Sequence, residues 1–146
     1  MAYEIYIGDR MFSSWSLRGW LMLEKFSLPH TVHLVGLYSG TMAQEMAHLA
    51  PARLVPALRT PEGTVVGESL AIAETLAEQN PDAGLWPADP AQRAAARWLA
   101  AEMVAGFSGP VHPIVYFVHN RGHRLNCFGM LALWVIDRFG PCCSRI

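Results

Sequence analysis

The chain of 146 residues is 52% hydrophobic and 16% charged with a formal net charge of -1, which suits one globular domain and excludes both a disordered chain and the basic stripe that tight nucleic-acid binding needs. The most apolar stretch, residues 127–139, is broken by Gly129 and Asp137 and falls short of the roughly 20 residues of a membrane helix, so no membrane partner is expected. The opening MAYEIYIGDR lacks a signal peptide's basic start and apolar run, and the three cysteines, Cys127, Cys142 and Cys143, form no disulfide framework; a cytoplasmic, reducing location is expected.

Residues 3–8 (YEIYIG) alternate, with Ile5 and Ile7 on one face, and predict a half-buried strand. A serine at 13 or 14 then caps a predicted helix carrying Leu17, Trp20, Leu21, Leu23 and Glu24, which must stop before Pro29. Residues 31–37 (TVHLVGL) are β-branched and apolar and predict a second strand, followed by a short polar helix over 41–49. Two apolar runs, 55–59 and 64–67, flank Thr60, Pro61, Glu62 and Gly63 and read as a hairpin. A helix over 69–80 carries Leu70, Ile72, Ala73, Leu76 and Ala77. The expected order is β-α-β-α-β-β-α, an α/β arrangement.

Residues 81–88 (PDAGLWPA) have linker composition. A new helix begins at Asp89 as N-cap, with Pro90 at its first position and Gln92 in capping-box register, and its expected apolar face is Ala95, Trp98, Leu99, Met103 and Phe107. The character of the chain changes over 106–113. Eleven acids face seven bases up to Phe107, whereas beyond it Asp137 faces Arg121, Arg124, Arg138 and Arg145, without a sustained period.

Three features of this layout carry chemistry. The loop between the first strand and its helix holds Ser13, Ser14 and Ser16, and hydroxyls beside unpartnered N–H groups at a helix start can stabilise an anion; simple capping is the competing role. Val55-Pro56 enters a strand where proline forfeits a ladder bond, and a cis peptide there would turn the Val55 backbone toward a peptide-like ligand. Glu68-Ser69 opens a helix directly after a strand. Ser69 then offers a hydroxyl and an N–H to a carboxylate while Glu68 offers a partner to an amine, or the pair is an ordinary cap.

In their order and spacing, SSWSLRGWLMLEKF from Ser13, LVPAL from Leu54, ESLAIAETLAE from Glu68 and GLWPADPAQRAAARWLAAEM from Gly84 resemble the glutathione S-transferase family over roughly residues 3–107, its serine-type, zeta-like and bacterial members above all. The resemblance implies a thioredoxin-like N-terminal domain over 1–80, a linker over 81–88 and a shortened all-α C-terminal part over 89–146. It also implies glutathione as co-substrate, a small hydrophobic electrophile as second substrate, a detoxifying transferase or a zeta-like isomerisation, a homodimer, and no metal.

Position by position, the resemblance makes Ser13 the hydroxyl that bonds the glutathione sulfur, with Ser14 and Ser16 as alternatives and Ser14 also a glutathione contact. Val55 becomes the backbone partner of the cysteinyl unit, Pro56 the cis-proline, and Glu68 and Ser69 the γ-glutamyl clamp. A hydroxyl donor and a helix N-terminus lower a thiol pKa, which activates it as a nucleophile. Disulfide exchange would require a cysteine in the serine loop, and none is present. Leu54 departs from the family, many members of which carry Gln or Lys there; Arg53 lies one residue away.

Past Phe107 the family pattern stops, and the segment reads as a truncated, frame-shifted or divergent end, which leaves the electrophile site in question. The competing expectation is therefore a non-catalytic glutathione-binding or structural remnant. Within that segment His119, His123 and Cys127 fall at i, i+4 and i+8, a spacing that would align three zinc ligands on a helix, but Gly122 and Asn126 oppose such a helix. The stripe over 131–139 reads as core or interface.

Overall fold

The computed structural model describes residues 2–9 and 13–106; the His119, His123 and Cys127 spacing, the 131–139 stripe, Phe107 and the whole divergent end lie outside them. The chain divides into two compact units, residues 1–79 and 80–146.

The first unit is a four-stranded mixed sheet with helices. Its elements are β1 (Tyr3–Ile7), α1 (Ser14–Lys25), β2 (His30–Leu34), α2 (Met42–Glu45), β3 (Ala57–Arg59), β4 (Val65–Gly67) and α3 (Ser69–Gln79), with a 3₁₀ turn at Ala47–Leu49. The strand order is β2-β1-β3-β4, with β2 parallel to β1 and the other pairs antiparallel. This is the β-α-β-α-β-β-α order read from the sequence, in a thioredoxin-like arrangement.

Several boundaries move for local reasons. The second strand spans His30–Leu34 rather than 31–37: Val35 N–H still bonds Ile7 C=O at 2.8 Å, but Gly36 N–H turns to the Glu45 carboxylate at 3.1 Å and the ladder ends. The helix expected over 41–49 splits into α2 and the 3₁₀ turn, since Thr41 supplies no side-chain cap and Pro51 lies just beyond. Pro56 has no N–H to donate, so β3 starts at Ala57 rather than at 55. The hairpin turn forms where it was read, with Gly63 at φ +91° and its N–H on Thr60 C=O at 2.8 Å.

β1 is not the half-buried strand that its alternation suggests, because it is central and covered on both faces: Tyr6 is buried as well as Ile5 and Ile7. Ile5 lies toward α1, while Tyr6 and Ala57 pack with Met46, Leu49 and Val35 on the α2 side. The face of α1 also differs from expectation. Ser16, Gly19, Met22 and Leu23 are buried while Leu17, Trp20 and Leu21 lie at the flanks. A Cβ on Gly19 would stand 2.7 Å from the Pro56 Cβ and 3.6 Å from Ile5 Cδ1. The helix thus comes close to Pro56 at Gly19, where only the smallest residue fits. α3 buries Ile72, Ala73 and Leu76 as its period predicts, and Tyr3 O–H donates to Gln79 Oε1 at 2.9 Å at its far end.

Of the second unit, residues 80–106 are described. The 81–88 segment opens with a 3₁₀ turn, Pro81–Ala83, and Gly84 follows at φ +69°. α4 (Pro90–Gly106) is capped as read, Asp89 Oδ1 accepting Gln92 N–H at 2.8 Å, and Arg93 Nη1 closes the start by donating to Pro87 C=O at 3.1 Å. Its buried residues are Ala96 and Met103, and Trp98 is 67% exposed, contrary to the expected apolar face. Two residues past Ala96 is a rotation of about 200°, which puts the tryptophan on the opposite side of the helix.

Candidate functional site

Strand register gathers the three motifs. Tyr6 pairs with Ala57, and Ala57 with Gly67. β1 leaves the sheet one residue after Tyr6, Val55-Pro56 enters immediately before Ala57, and Glu68-Ser69 follows immediately after Gly67. The serine segment, the Val55-Pro56 peptide and the start of α3 therefore share one end of the sheet, joined further by α1 packing on α3 and by the Gly19 approach to Pro56.

The serines divide by role. Ser13 is the N-cap of α1, its Oγ accepting Ser16 N–H at 3.2 Å, and its own N–H bonds Asp9 C=O at 2.8 Å. Ser16 is fully buried, and its Oγ accepts both Gly8 N–H at 2.9 Å and Ser13 O–H at 2.8 Å. Ser16 is thus the peg that ties the end of β1 to α1. Ser14 is buried too, whereas Ser13 is half-buried at the helix mouth, the place from which a hydroxyl can reach a ligand.

Val55-Pro56 is cis, as is Ala50-Pro51. Val55 is half-buried, Pro56 is buried against α1, and Leu54 is 70% exposed with Arg53 exposed beside it. Glu68 stands at φ +72°, a left-handed conformation that is uncommon for a residue with a side chain. Its carboxylate folds onto the start of α3: Oε1 accepts Ser69 N–H at 2.7 Å and Ser69 O–H at 3.0 Å, and Oε2 accepts Leu70 N–H at 3.0 Å. Glu68, and not Ser69, is the N-cap. The acid itself accepts from the donors that sequence reasoning offered to a foreign carboxylate.

Arg18 and Trp15 escaped the sequence reading. Arg18 is buried with its guanidinium 4.2 Å over the Trp15 ring. Burial pushes its pKa down, opposed by attraction to the Glu68 carboxylate. An arginine among serines at a helix start gives no periodic signal of burial. Away from this end, Tyr6 O–H donates to Glu4 Oε2 at 2.8 Å, stacks on His33 at 4.5 Å and lies 3.3 Å from His48 Nε2. Burial, then the Glu4 hydrogen bond, raises the Tyr6 pKa. No group of three His, Cys, Asp or Glu among the described residues could hold a metal ion, and none of their helices is long and apolar enough to cross a membrane.

Solved structures bear first on the fold. The chain superposes on a Burkholderia glutathione transferase homolog with bound glutathione at a TM-score of 0.62 and 23% identity, covering 94% of this chain and 63% of that one. For a glutathione S-transferase from the Antarctic clam Laternula elliptica the values are 0.65 and 22%, over 94% and 61%. These likenesses give the fold.

Sequence gives the family. Residues 12–79 match the glutathione S-transferase N-terminal domain. The "Probable maleylacetoacetate isomerase" of Caenorhabditis elegans is 35% identical over 108 residues, 74% of this chain and 49% of that protein. The maleylacetoacetate isomerase of Rattus norvegicus is 32% identical over 103 residues, 70% and 47% respectively. Over its N-terminal unit the chain belongs to the glutathione S-transferase family. It spans about half the length of the curated relatives it matches.

Proposed function

We propose that residues 1–80 form a glutathione-binding domain that holds the tripeptide's thiol as thiolate, followed by a linker over 81–88 and a helical region over 89–146. The observation that carries this is the register Tyr6, Ala57, Gly67, which brings the serine cap, the cis Val55-Pro56 peptide and Glu68-Ser69 to one end of the sheet.

In this reading the Val55 backbone pairs with the cysteinyl unit and the Glu68-Ser69 step takes the γ-glutamyl head. Ser13 directs its hydroxyl to the sulfur, with Ser14 beside it. Turning the Ser13 hydroxyl outward costs little locally, because Ser16 Oγ keeps its bond from Gly8 N–H. A hydroxyl donor and the positive end of α1 favour the charged sulfur, lowering the thiol pKa from about 8.5. The thiolate then attacks an electrophilic carbon of a small hydrophobic substrate. A C–S bond forms, the electron pair leaves with the displaced group or takes a proton from solvent, and the thiol proton has already passed to solvent. Elimination of the same thiolate after rotation would instead isomerise a double bond, the reaction class that the relatives' name carries.

A second copy of the chain is the assembly we favour, and exposed Leu34, Tyr38 and Leu54 supply apolar surface in the first unit. A reducing, cytoplasmic setting suits a free-thiol co-substrate. Calorimetric titration of the full chain with glutathione tests the binding: one saturable site is expected, and no heat from a chain shown to be folded by near-ultraviolet circular dichroism would overturn it. Light scattering tests the dimer.

A further inference from the structure

The Val55 backbone is carried by residues 50–56, between the 3₁₀ turn Ala47–Leu49 and β3. Within them Pro51 and Pro56 have no N–H to donate, and Ala52 N–H bonds back to Leu49 C=O at 2.9 Å. Tyr6 meets this segment at both ends. Its backbone is the register partner of Ala57, the residue after Pro56, and its hydroxyl lies 3.3 Å from Nε2 of His48, two residues before the segment begins. Ala52 and Val55 pack against the cluster that Tyr6 forms with Val35, Met46, Leu49 and Ala57. Resting on the glutathione reading, the geometry points to Tyr6 and His48 as a clasp that positions the Val55 backbone for the cysteinyl unit.

The direction of the hydrogen bonds follows from counting protons. Tyr6 has one hydroxyl proton and gives it to Glu4 Oε2 at 2.8 Å, so toward His48 its oxygen can only accept. The donor is then Nε2–H, which the neutral Nε2–H tautomer and the imidazolium both carry, and the clasp holds in either charge state of the ring. The Tyr6 ring is itself fixed. It is buried, His33 stacks on it with centroids 4.5 Å and planes 14° apart, and its hydroxyl is tied to Glu4, whose Oε2 has Arg59 Nη1 and His33 Nε2 3.9 Å away. His48, exposed on its turn, adds an edge contact to the same ring at 5.3 Å. A fixed tyrosine thus restrains an exposed turn. Freeing that turn lowers the fraction of molecules whose Val55 backbone stands ready for the ligand, and with it the apparent affinity.

Calorimetric titration of the full chain with glutathione compares the wild type with His48→Ala, His48→Gln, Tyr6→Phe and the double variant Tyr6→Phe with His48→Ala. Loss of the one hydrogen bond should weaken binding about threefold in His48→Ala, whereas His48→Gln, whose amide N–H can still donate to Tyr6, should bind as the wild type does. The double variant should bind no more weakly than Tyr6→Phe alone, because the bond is already lost there. Wild-type affinity in His48→Ala, no rescue by glutamine, or additive losses in the double variant overturns the proposal.

Failure of the glutathione reading is separable from failure of this inference. If the folded wild type binds no glutathione, that reading falls, and amide hydrogen exchange in the free chain still decides the clasp. Ala52 N–H should exchange about threefold faster in His48→Ala and at the wild-type rate in His48→Gln, with the β1–β3 ladder unchanged in both. An unchanged Ala52 rate in His48→Ala rejects the clasp. Should Tyr6→Phe not fold, the two variants at the exposed His48 carry both measurements.

Discussion

On the face of the sheet toward α1 and α3, Ile5, Ile7 and Leu58 are completely buried, whereas across the α2 side the same strands present Glu4, Tyr6, His33 and Arg59. The first face is apolar and closely approached, with Gly19 against Pro56. The second mixes a small core around Tyr6, Met46 and Leu49 with a half-exposed ion pair, Arg59 Nη1 lying 3.9 Å from Glu4 Oε2, and with the His33 ring, whose Nε2 is 3.9 Å from the same oxygen. One face therefore carries stability and fixes Pro56 at the candidate site, while the other places the half-exposed Glu4 and Arg59 beside the buried Tyr6. Burial and close packing on one side purchase chemical latitude on the other.

Adjacent residues of β3 sharpen that contrast most. Leu58→Ala should lower unfolding free energy by about 2–5 kcal/mol in urea denaturation, as expected for truncating a fully buried leucine. Arg59→Ala, one residue on and facing the other way, should cost less than about 1 kcal/mol, since its pair with Glu4 is half exposed. Equal losses at the two positions would break the comparison.

Gly19→Ala is expected to come next. The added Cβ meets the Pro56 ring at 2.7 Å, and overpacking of about 1–3 kcal/mol outweighs the helix-propensity gain of up to about 1 kcal/mol. Thermal unfolding should show a net loss, and calorimetry a weaker hold on glutathione because Pro56 is displaced. A stabilised variant would mean that α1 does not approach the sheet this closely.

The smallest effects are pH-dependent and belong to the more polar side. The Tyr6 pKa is raised in the folded chain by burial and by Glu4, so its contribution is complete below the ordinary tyrosine range, near pH 10, and is lost as pH rises through the folded value. Glu45, whose pKa is lowered first by the Thr41 hydroxyl and then by Gly36 N–H, contributes in the opposite sense. Its share is present above the ordinary carboxylate range and is lost as pH falls through the folded value. Urea midpoints across pH should fall at both ends, with Tyr6→Phe flattening the alkaline limb and Glu45→Gln the acid limb.

What could be read from the sequence was whatever has a chemical reason local to a few residues. Thr60 to Gly63 announced a turn, Asp89-Pro90 announced a helix start, and Glu68-Ser69 directly after a strand announced a helix with polar groups at its mouth. Long-range packing left no such mark. Gly19 drew no notice in the helix pattern, and its role emerges only from the nearby Pro56 ring. Trp98 looked like core by hydrophobicity, but the buried line of α4 runs through Ala96 and Met103. Ser16 stood as an alternative to Ser13, and its bond from Gly8 N–H makes it an internal peg instead. An ordinary cap at the Glu68-Ser69 pair was one of the two readings, but that Glu68 itself caps through three hydrogen bonds, at a positive φ, is revealed by no sequence pattern.

The most direct test of the account is a pH titration of the ultraviolet thiolate absorption of bound glutathione, compared between the wild type, Ser13→Ala and Ser16→Ala, with folding followed in parallel. The account predicts a thiol pKa lowered by about one to two units in the wild type, restored toward the free value in Ser13→Ala without loss of fold. In Ser16→Ala the larger loss should fall on stability. A bound thiol titrating as free glutathione does in the wild type, or unchanged in Ser13→Ala, would contradict it.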